Sequence, residues 1–497
     1  MADETVQVGK YTLESLTTGM YSDPKIVYRE YIQNSVDSLE NAVSTGLIEP
    51  QSMRIDIVVN AEDSFITIRD NGTGIPSADA QKTLMNVGSS KKRNANNRGF
   101  RGIGRLGGMS YCNTLVFTTS AEMEAVKTVI TFDCKKLRQL LVPGQYEDMS
   151  LSAVLEEITK VEVLPEKAEK HYFCVEMKDV TGFSDLLDIE AAKSYISQVA
   201  PLPYQSRHFI YTSQLKGFLQ EKGYTIEEFP IFVGENESDL EPVYKPNKSR
   251  FRSDRGKRTV DDITSMSYFD TAIGWLAKTN YMGSIYEKAI KGIRLRKGNI
   301  LIGDHQTLNI VFKDARFNGW SVGEIFAIDK HLVPNARRDN FEKNPAYFSL
   351  FEHLTTIAAS ITKDIRAASL RRNSSLSSAI NQLGIAAQEA QEAMSSGVSG
   401  AKKGQITKKL REAQAAVSTS EANGDSEQYY QDIAFAELDM LIGKLKGTTK
   451  YKALNTIEKL TNTEKRILER VIQTIDSLGI DGSDAIIEAI LNDFATK

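Results

Sequence analysis

Three short segments carry side-chain types at spacings that suit chemistry on phosphates. The first is Arg29-Glu30-Tyr31-Ile32-Gln33-Asn34-Ser35-Val36-Asp37. Glu30, Asn34 and Asp37 recur at i, i+4 and i+7, one face of a helix, while Ile32, Val36 and Leu39 lie elsewhere. Two carboxylates and a carboxamide together offer a base for activating water and hard oxygen ligands for Mg2+. A solvated face of a surface helix has the same pattern. The second segment is Asp70-Asn71-Gly72-Thr73-Gly74-Ile75-Pro76. An acid at a strand end, followed by two glycines, can hold a carboxylate in a pocket while the backbone passes close to a ligand. Asn-Gly is also a plain hairpin signal. The third segment is Gly99-Phe100-Arg101-Gly102-Ile103-Gly104-Arg105-Leu106-Gly107-Gly108. Such glycines let a row of backbone N–H groups surround phosphates, and a flexible loop shares their composition. No Gly-Lys-Ser/Thr follows, so this is not a Walker A loop. No strand directly precedes it, so it is not a Rossmann fingerprint.

These segments need elements to hold them. The apolar spacing over residues 11–47 predicts helix, broken at Ser22-Asp23-Pro24. Alternation predicts strands at Met53–Val59 and Phe65–Asp70, with further strands at Thr114–Thr119, Val126–Phe132 and Phe173–Met177. Helices mixed with hairpin-like neighbours imply an α+β layer pair, not a doubly wound parallel sheet. A second α/β stretch spans 186–345, with strand-like runs at Lys291–Asp304 and Val322–Ile328. Beyond about Pro345 the pattern is helical, with small polar linkers near 395–426. Thr461-Asn462-Thr463-Glu464 is a capping-box pattern ahead of an amphipathic run.

Composition narrows the class. The chain has 497 residues, 41% hydrophobic and 25% charged, which suits packed domains and excludes wholesale disorder. Lys and Arg number 61 against 65 Asp and Glu, so a chain-wide polycation for coating nucleic acid is excluded. No apolar run is long enough to span a bilayer, and residues 1–5 lack the features of a signal peptide. Cys112, Cys134 and Cys174 are odd in number and far apart, which fits a reducing cytoplasm. The five histidines are scattered, which argues against a histidine-based zinc site.

Taken together and in this order, the Glu30/Asn34/Asp37 helix, the Asp70/Gly72/Gly74 strand end and the Gly99/Gly102/Gly104 segment resemble the GHKL ATPases. That superfamily includes gyrase, the heat-shock-protein-90 chaperones, sensor histidine kinases and mismatch-repair ATPases. The stretch Tyr21–Leu39 is most similar to the heat-shock-protein-90 branch. Gly88-Ser89-Ser90-Lys91-Lys92, with Gly99–Gly102, is partly similar to the mismatch-repair and MORC branch. The resemblance covers about residues 7–180 and implies a Bergerat-type α/β sandwich over 1–185. It implies that Glu30 orients or deprotonates the attacking water and that Asn34 ligates Mg2+. Asp70 would accept from the adenine amino group, and Gly74 would let the base pack closely. Gly102 and Gly104 would donate to phosphate, with Lys91 or Lys92 adding charge. One departure concerns the adenine: the family's Gly-Thr pair before the last core strand is replaced by His171–Met177, which holds no Thr.

The resemblance further implies that 186–345 is a transducer-like α/β domain sending a basic residue to the γ-phosphate. Arg294, Arg296, Lys297, Arg337 and Arg338 are candidates, and the loop Val333–Phe341 favours Arg337 or Arg338 as the catalytic arginine. The segment 245–258 holds seven basic residues and is either a nucleic-acid contact or a solvated loop. Residues 346–497 are expected to form a helical C-terminal region. The function expected is ATP binding with Mg2+ and slow ATP hydrolysis in a cytoplasmic, chaperone-like conformational switch, as a homodimer acting on a protein client. The alternatives are a nucleic-acid-linked ATPase of mismatch-repair or MORC type, and a nucleotide-gated scaffold in stress response or phage defence.

Overall fold

The computed structural model describes residues 9–12, 23–86, 104–146, 149–253, 256–259, 262–268, 271–279, 281, 283–373, 375–396, 400–418, 433, 436–445, 460–478 and 483–496. The chain divides into two compact units, Met1–Lys363 and Asp364–Lys497.

The first unit is built on two sheets. Helix α1, Ile26–Ser44, begins where Pro24 enters the first turn and the Asp23 carboxylate accepts from the Lys25 amide at 3.0 Å. Its Val27, Tyr28, Tyr31, Ile32, Val36 and Leu39 are buried. They pack on β1, Ile55–Asn60, β2, Phe65–Asp70, and the strands beside them. The sheet continues with β3, Cys112–Ser120, β4, Val126–Asp133, β5, Thr159–Pro165, and β6, Tyr172–Val180. Ile55, Ile57, Ile66 and Ile68 alternate inward, as the period of two requires. The fold class is the expected mixed α/β sandwich with a largely antiparallel sheet and helices against it.

Two features of this sheet escape the sequence patterns. β5 is an edge strand paired only with β4, and most of its residues are half-buried or exposed, so burial leaves little imprint on it. The other is β7, Ile231–Gly234, which comes from the second α/β stretch. It pairs in parallel with β1, Ile55 opposite Ile231, and with β8, Glu241–Pro242, extends the sheet to eight strands.

The second sheet follows β9, Arg250–Ser253, and β10, Gly256–Thr259, which form a separate hairpin. It comprises β11, Asp262–Tyr268, β12, Ala272–Lys278, β13, Gly292–Lys297, β14, Ile300–Ile302, and β15, Val322–Ala327. Its order is β11-β12-β15-β13-β14, with β13 and β15 parallel. Helix α2, Ile189–Val199, is capped by Asp188, whose carboxylate accepts from Glu190 and Ala191 N–H.

The second unit is helical. Ser375–Ser396, Gly400–Ser418 and a helical stretch at 436–445 share a core of Ala379, Leu383, Ala390, Leu410, Val417, Leu438 and Leu445. The linker expected near 395–426 gives way to helix over Gly400–Ser418, whose Ile406, Leu410, Ala413 and Val417 pack into this core, while residues 419–432 lie outside the described residues. Thr461 and Glu464 form the capping box: Thr461 N–H donates to the Glu464 carboxylate at 2.8 Å, and Glu464 N–H to the Thr461 hydroxyl at 3.4 Å. Among the described residues no helix is long and apolar enough to cross a membrane.

Candidate active site

The side chains of α1 divide sharply by face. Tyr31, Ile32, Val36 and Leu39 face the sheet, while Glu30, Gln33, Asn34 and Asp37 lie along a neighbouring polar face. That face is not solvated. Glu30 is 6% exposed, Asp37 3% and Gln33 1%, while Asn34 is half-buried. Carboxylates at such depth need partners, since an unpaired buried charge is costly.

Glu30 has one from the far end of the first unit. Arg338 Nε lies 2.9 Å from its carboxylate, both side chains being largely buried. The loop that delivers Arg338 is held as a narrow turn. Pro334 bridges Phe341, Asn335 N–H donates to Asn340 O at 2.8 Å, and Arg338 O accepts from Gly303 N–H at 2.8 Å. Arg338 itself sits at φ +55°, a left-handed conformation that costs a non-glycine residue about 1–2 kcal/mol. Arg337 faces outward and is exposed; its carbonyl accepts from Arg29 Nη2 at 3.1 Å. Of the two candidate arginines, the structure brings only Arg338 to the glutamate.

Glu30 also touches the glycine-rich segment. A Cβ at Gly104 would displace the Glu30 carboxylate, so glycine there allows the close approach. The 3-10 turn Gly104–Ser110 is pinned to α1 by Tyr31, whose hydroxyl donates to Arg105 O at 3.0 Å and accepts from Gly108 N–H at 3.1 Å. Sequence reasoning passed over Tyr31 because aromatic residues on a helix usually signal core alone. Lys91, Gly99 and Gly102, with Lys92, lie outside the described residues.

The Asp70 turn sits beside this helix. Asp70 is 2% exposed at the end of β2, and its carboxylate accepts from Gly72 N–H at 3.0 Å. A Cβ at Gly72 would strike Ser38 of α1; one at Gly74, which has φ +63°, would strike the Ser120 carbonyl. Both glycines are thus demanded by close backbone packing. Asp70 pairs across the sheet with Phe173, which pairs in turn with Thr119. Phe173 stands where a Thr was sought, and Thr119 lies one strand further on. Thr119 is 1% exposed and its hydroxyl accepts from Ile75 N–H at 2.7 Å, bracing the turn. Only the strand register reveals this row.

Gln33 lacks partners at both ends of its amide: neither its Nε2 nor its Oε1 has a hydrogen-bond partner among the described residues. A buried amide left in that state costs about 1–3 kcal/mol for each unsatisfied group.

The remaining basic candidates are used internally. Arg294 is 5% exposed and bonds Lys288 O, and Lys297 Nζ donates to Asp329 O at 2.6 Å. Arg296 is buried against the Glu324 carboxylate and donates to Gln198 O of α2 at 3.1 Å. Lys245 corrects the expectation of a basic surface at 245–258. Its ammonium is buried, 3.2 Å from Glu324, and cannot meet a nucleic-acid phosphate. Burial and the Arg296 charge push the Lys245 ammonium down to about 7, against the pull of Glu324. Burial alone would raise the Glu324 carboxyl, but Arg296, Lys245 and the Tyr204 hydroxyl outweigh it and hold it at about 2. Lys248 pairs with Glu287 at 2.8 Å, and the side chains of Arg252, Arg255, Lys257 and Arg258 lie outside the described residues.

No cluster of three or more His, Cys, Asp or Glu side chains fit to hold a metal is present among the described residues. The donor set of α1 suits a cation bound mainly through a ligand's phosphates, with one protein oxygen from the half-buried Asn34, as Mg2+ commonly is.

Comparison with known proteins agrees with this geometry. Residues 21–160 match the family described as histidine kinase-, DNA gyrase B- and HSP90-like ATPase. A stretch of 84 residues is 30% identical to the chaperone protein HtpG of Acinetobacter baylyi, taking in 16% of this chain and 13% of that protein. The matched span contains α1, the Asp70 turn and the glycine-rich segment. Residues 21–160 are therefore a domain of the histidine kinase-, DNA gyrase B- and HSP90-like ATPase family.

Proposed function

We propose that the protein binds ATP with Mg2+, hydrolyses it slowly, and uses the cycle to change its own conformation, acting as a chaperone-like switch on a protein client. The observation that carries this reading is the ion pair between Glu30 of α1 and Arg338 of the distal loop. It joins the helix expected to activate water to the only candidate arginine that reaches it. Phosphoryl transfer needs positioning and charge neutralisation more than covalent chemistry, and these residues supply both.

In this reading Glu30 accepts the proton of the attacking water, and Arg338 exchanges the carboxylate for the γ-phosphate when nucleotide enters. Asn34 holds Mg2+, which neutralises phosphate charge when bound. Asp70 accepts from the adenine amino group, with Gly72 and Gly74 shaping the turn. Gly104, Gly99 and Gly102 are proposed to donate N–H groups to phosphate, with Lys91 adding charge. Homodimerisation belongs to the same proposal, supported by the partial similarity to a chaperone. Burial of Lys245 weakens the nucleic-acid-linked alternative.

The test is Glu30→Ala. It is expected to retain ATP affinity in calorimetry and to lose about 10²–10⁴-fold in phosphate release, the range for general-base help. Unchanged turnover would reduce Glu30 to a structural carboxylate.

A further inference from the structure

We infer that Gln33 is a positioning residue for hydrolysis, its carboxamide holding the attacking water between Glu30 and the γ-phosphate. The inference rests on the ATPase reading above and deepens it. The first ground is helix geometry. Gln33 stands three residues after Glu30 and one before Asn34, so its side chain lies one turn along the same face, about 5–6 Å from Glu30 at the Cβ atoms. The second ground is the state of the amide. Gln33 is 1% exposed, and neither its donor nor its acceptor is matched by the described protein. Glu30 on the same face has the Arg338 guanidinium at 2.9 Å, whereas both polar atoms of Gln33 lack a hydrogen-bond partner among the described residues.

The chemistry of the group fits the gap. A carboxamide offers one acceptor and two donor hydrogens. Oε1 accepts one water hydrogen while Glu30 accepts the other, and Nε2 donates to a γ-phosphate oxygen. The water oxygen forms the new bond to phosphorus, the bond to the bridging oxygen of ADP breaks, and the water's proton passes to Glu30. The carboxamide stays neutral throughout, so it orients the water without competing for that proton. A carboxylate at the same place would put a like charge beside Glu30.

This differs from a structural role in what it predicts for two nucleotides. ADP lacks the phosphate that Gln33 would meet. Gln33→Leu is expected to bind ADP within about twofold of wild type in calorimetry. It should bind the non-hydrolysable analogue AMP-PNP several-fold more weakly and lose about 10–10²-fold in single-turnover hydrolysis. Gln33→Glu is expected to keep more of the rate than Gln33→Leu and to move the acidic limb of the pH–rate profile upward. Wild-type turnover in Gln33→Leu overturns the inference. So does parallel loss of ADP affinity, AMP-PNP affinity and melting temperature in both variants, which marks a packing role. If Gln33→Leu does not fold, Gln33→Asn and the pH profile of Gln33→Glu decide. Wild-type protein that binds no ATP overturns both readings, whereas ATP hydrolysis indifferent to Gln33 overturns this one alone.

Discussion

The guanidinium of Arg338 holds the carboxylate of Glu30 at 2.9 Å, although the two residues belong to α1 and to a loop some three hundred residues later in the same unit. Either group alone would be a poorly compensated buried charge. The pair makes the arginine and the carboxylate interdependent.

Arg338→Ala should therefore cost far more than Arg337→Ala. Loss of the guanidinium is expected to lower the turnover number by about 10²-fold or more, with ADP affinity little changed. Arg337→Ala should stay within a few-fold of wild type, since its contact with Arg29 uses the backbone carbonyl. Steady-state phosphate release on both variants checks this, and equal losses would contradict it.

Removal of the cation and removal of its protein ligand should look alike. Asn34→Ala is expected to abolish detectable Mg-ATP binding in calorimetry, and EDTA should do the same to the wild type. If Asn34→Ala binds ATP normally in Mg2+, the metal is held elsewhere.

Asp70→Asn should weaken ATP, because a carboxylate only accepts whereas an amide can present its donor side. Wild-type protein should prefer ATP to GTP, whose carbonyl would oppose Asp70. The expected gap is about tenfold or more in competitive displacement, and equal affinities would remove Asp70 from base recognition.

The Glu324 cluster predicts acid sensitivity of the second sheet. The folded carboxyl is held at about 2 against an ordinary 4.5. A depressed acid contributes stability that is fully present above 4.5 and is lost as pH falls from 4.5 towards 2, a loss on the order of 3 kcal/mol. Urea unfolding at pH 6 and at pH 3 measures it. Glu324→Gln should start less stable and show a flatter acid dependence. An unchanged acid slope in that variant would place the effect elsewhere.

The contrast between what local spacing reveals and what it hides runs along chemical lines. The polar face of α1 and the strand ending at Asp70 are legible, because a period of 3.6 or 2 writes burial directly into residue order. The choice between Arg337 and Arg338 is not legible, since adjacent residues in a loop differ only in backbone conformation. Lys245 and the basic run after it look alike in one dimension. Only the β15 carboxylate of Glu324, far along the chain, separates a core ammonium from surface charge. Gln33 was visible in the motif, but its unmatched amide emerges only from burial in three dimensions.

The parallel pairing of β1 with β7 has a consequence for synthesis. As the chain leaves the ribosome, β1 and its hairpin partner β2 emerge early, but the strand that covers the other side of β1 follows only after the intervening helices and strands. Until then β1 is an open edge carrying Ile55, Ile57, Val58 and Val59, the kind of edge that recruits other chains. Closing it late is slow, because distant strands must find each other against chain entropy. A polypeptide halted before Ile231 would expose that edge for as long as it existed, so its nascent form needs shielding of the sort the finished protein is proposed to give to others.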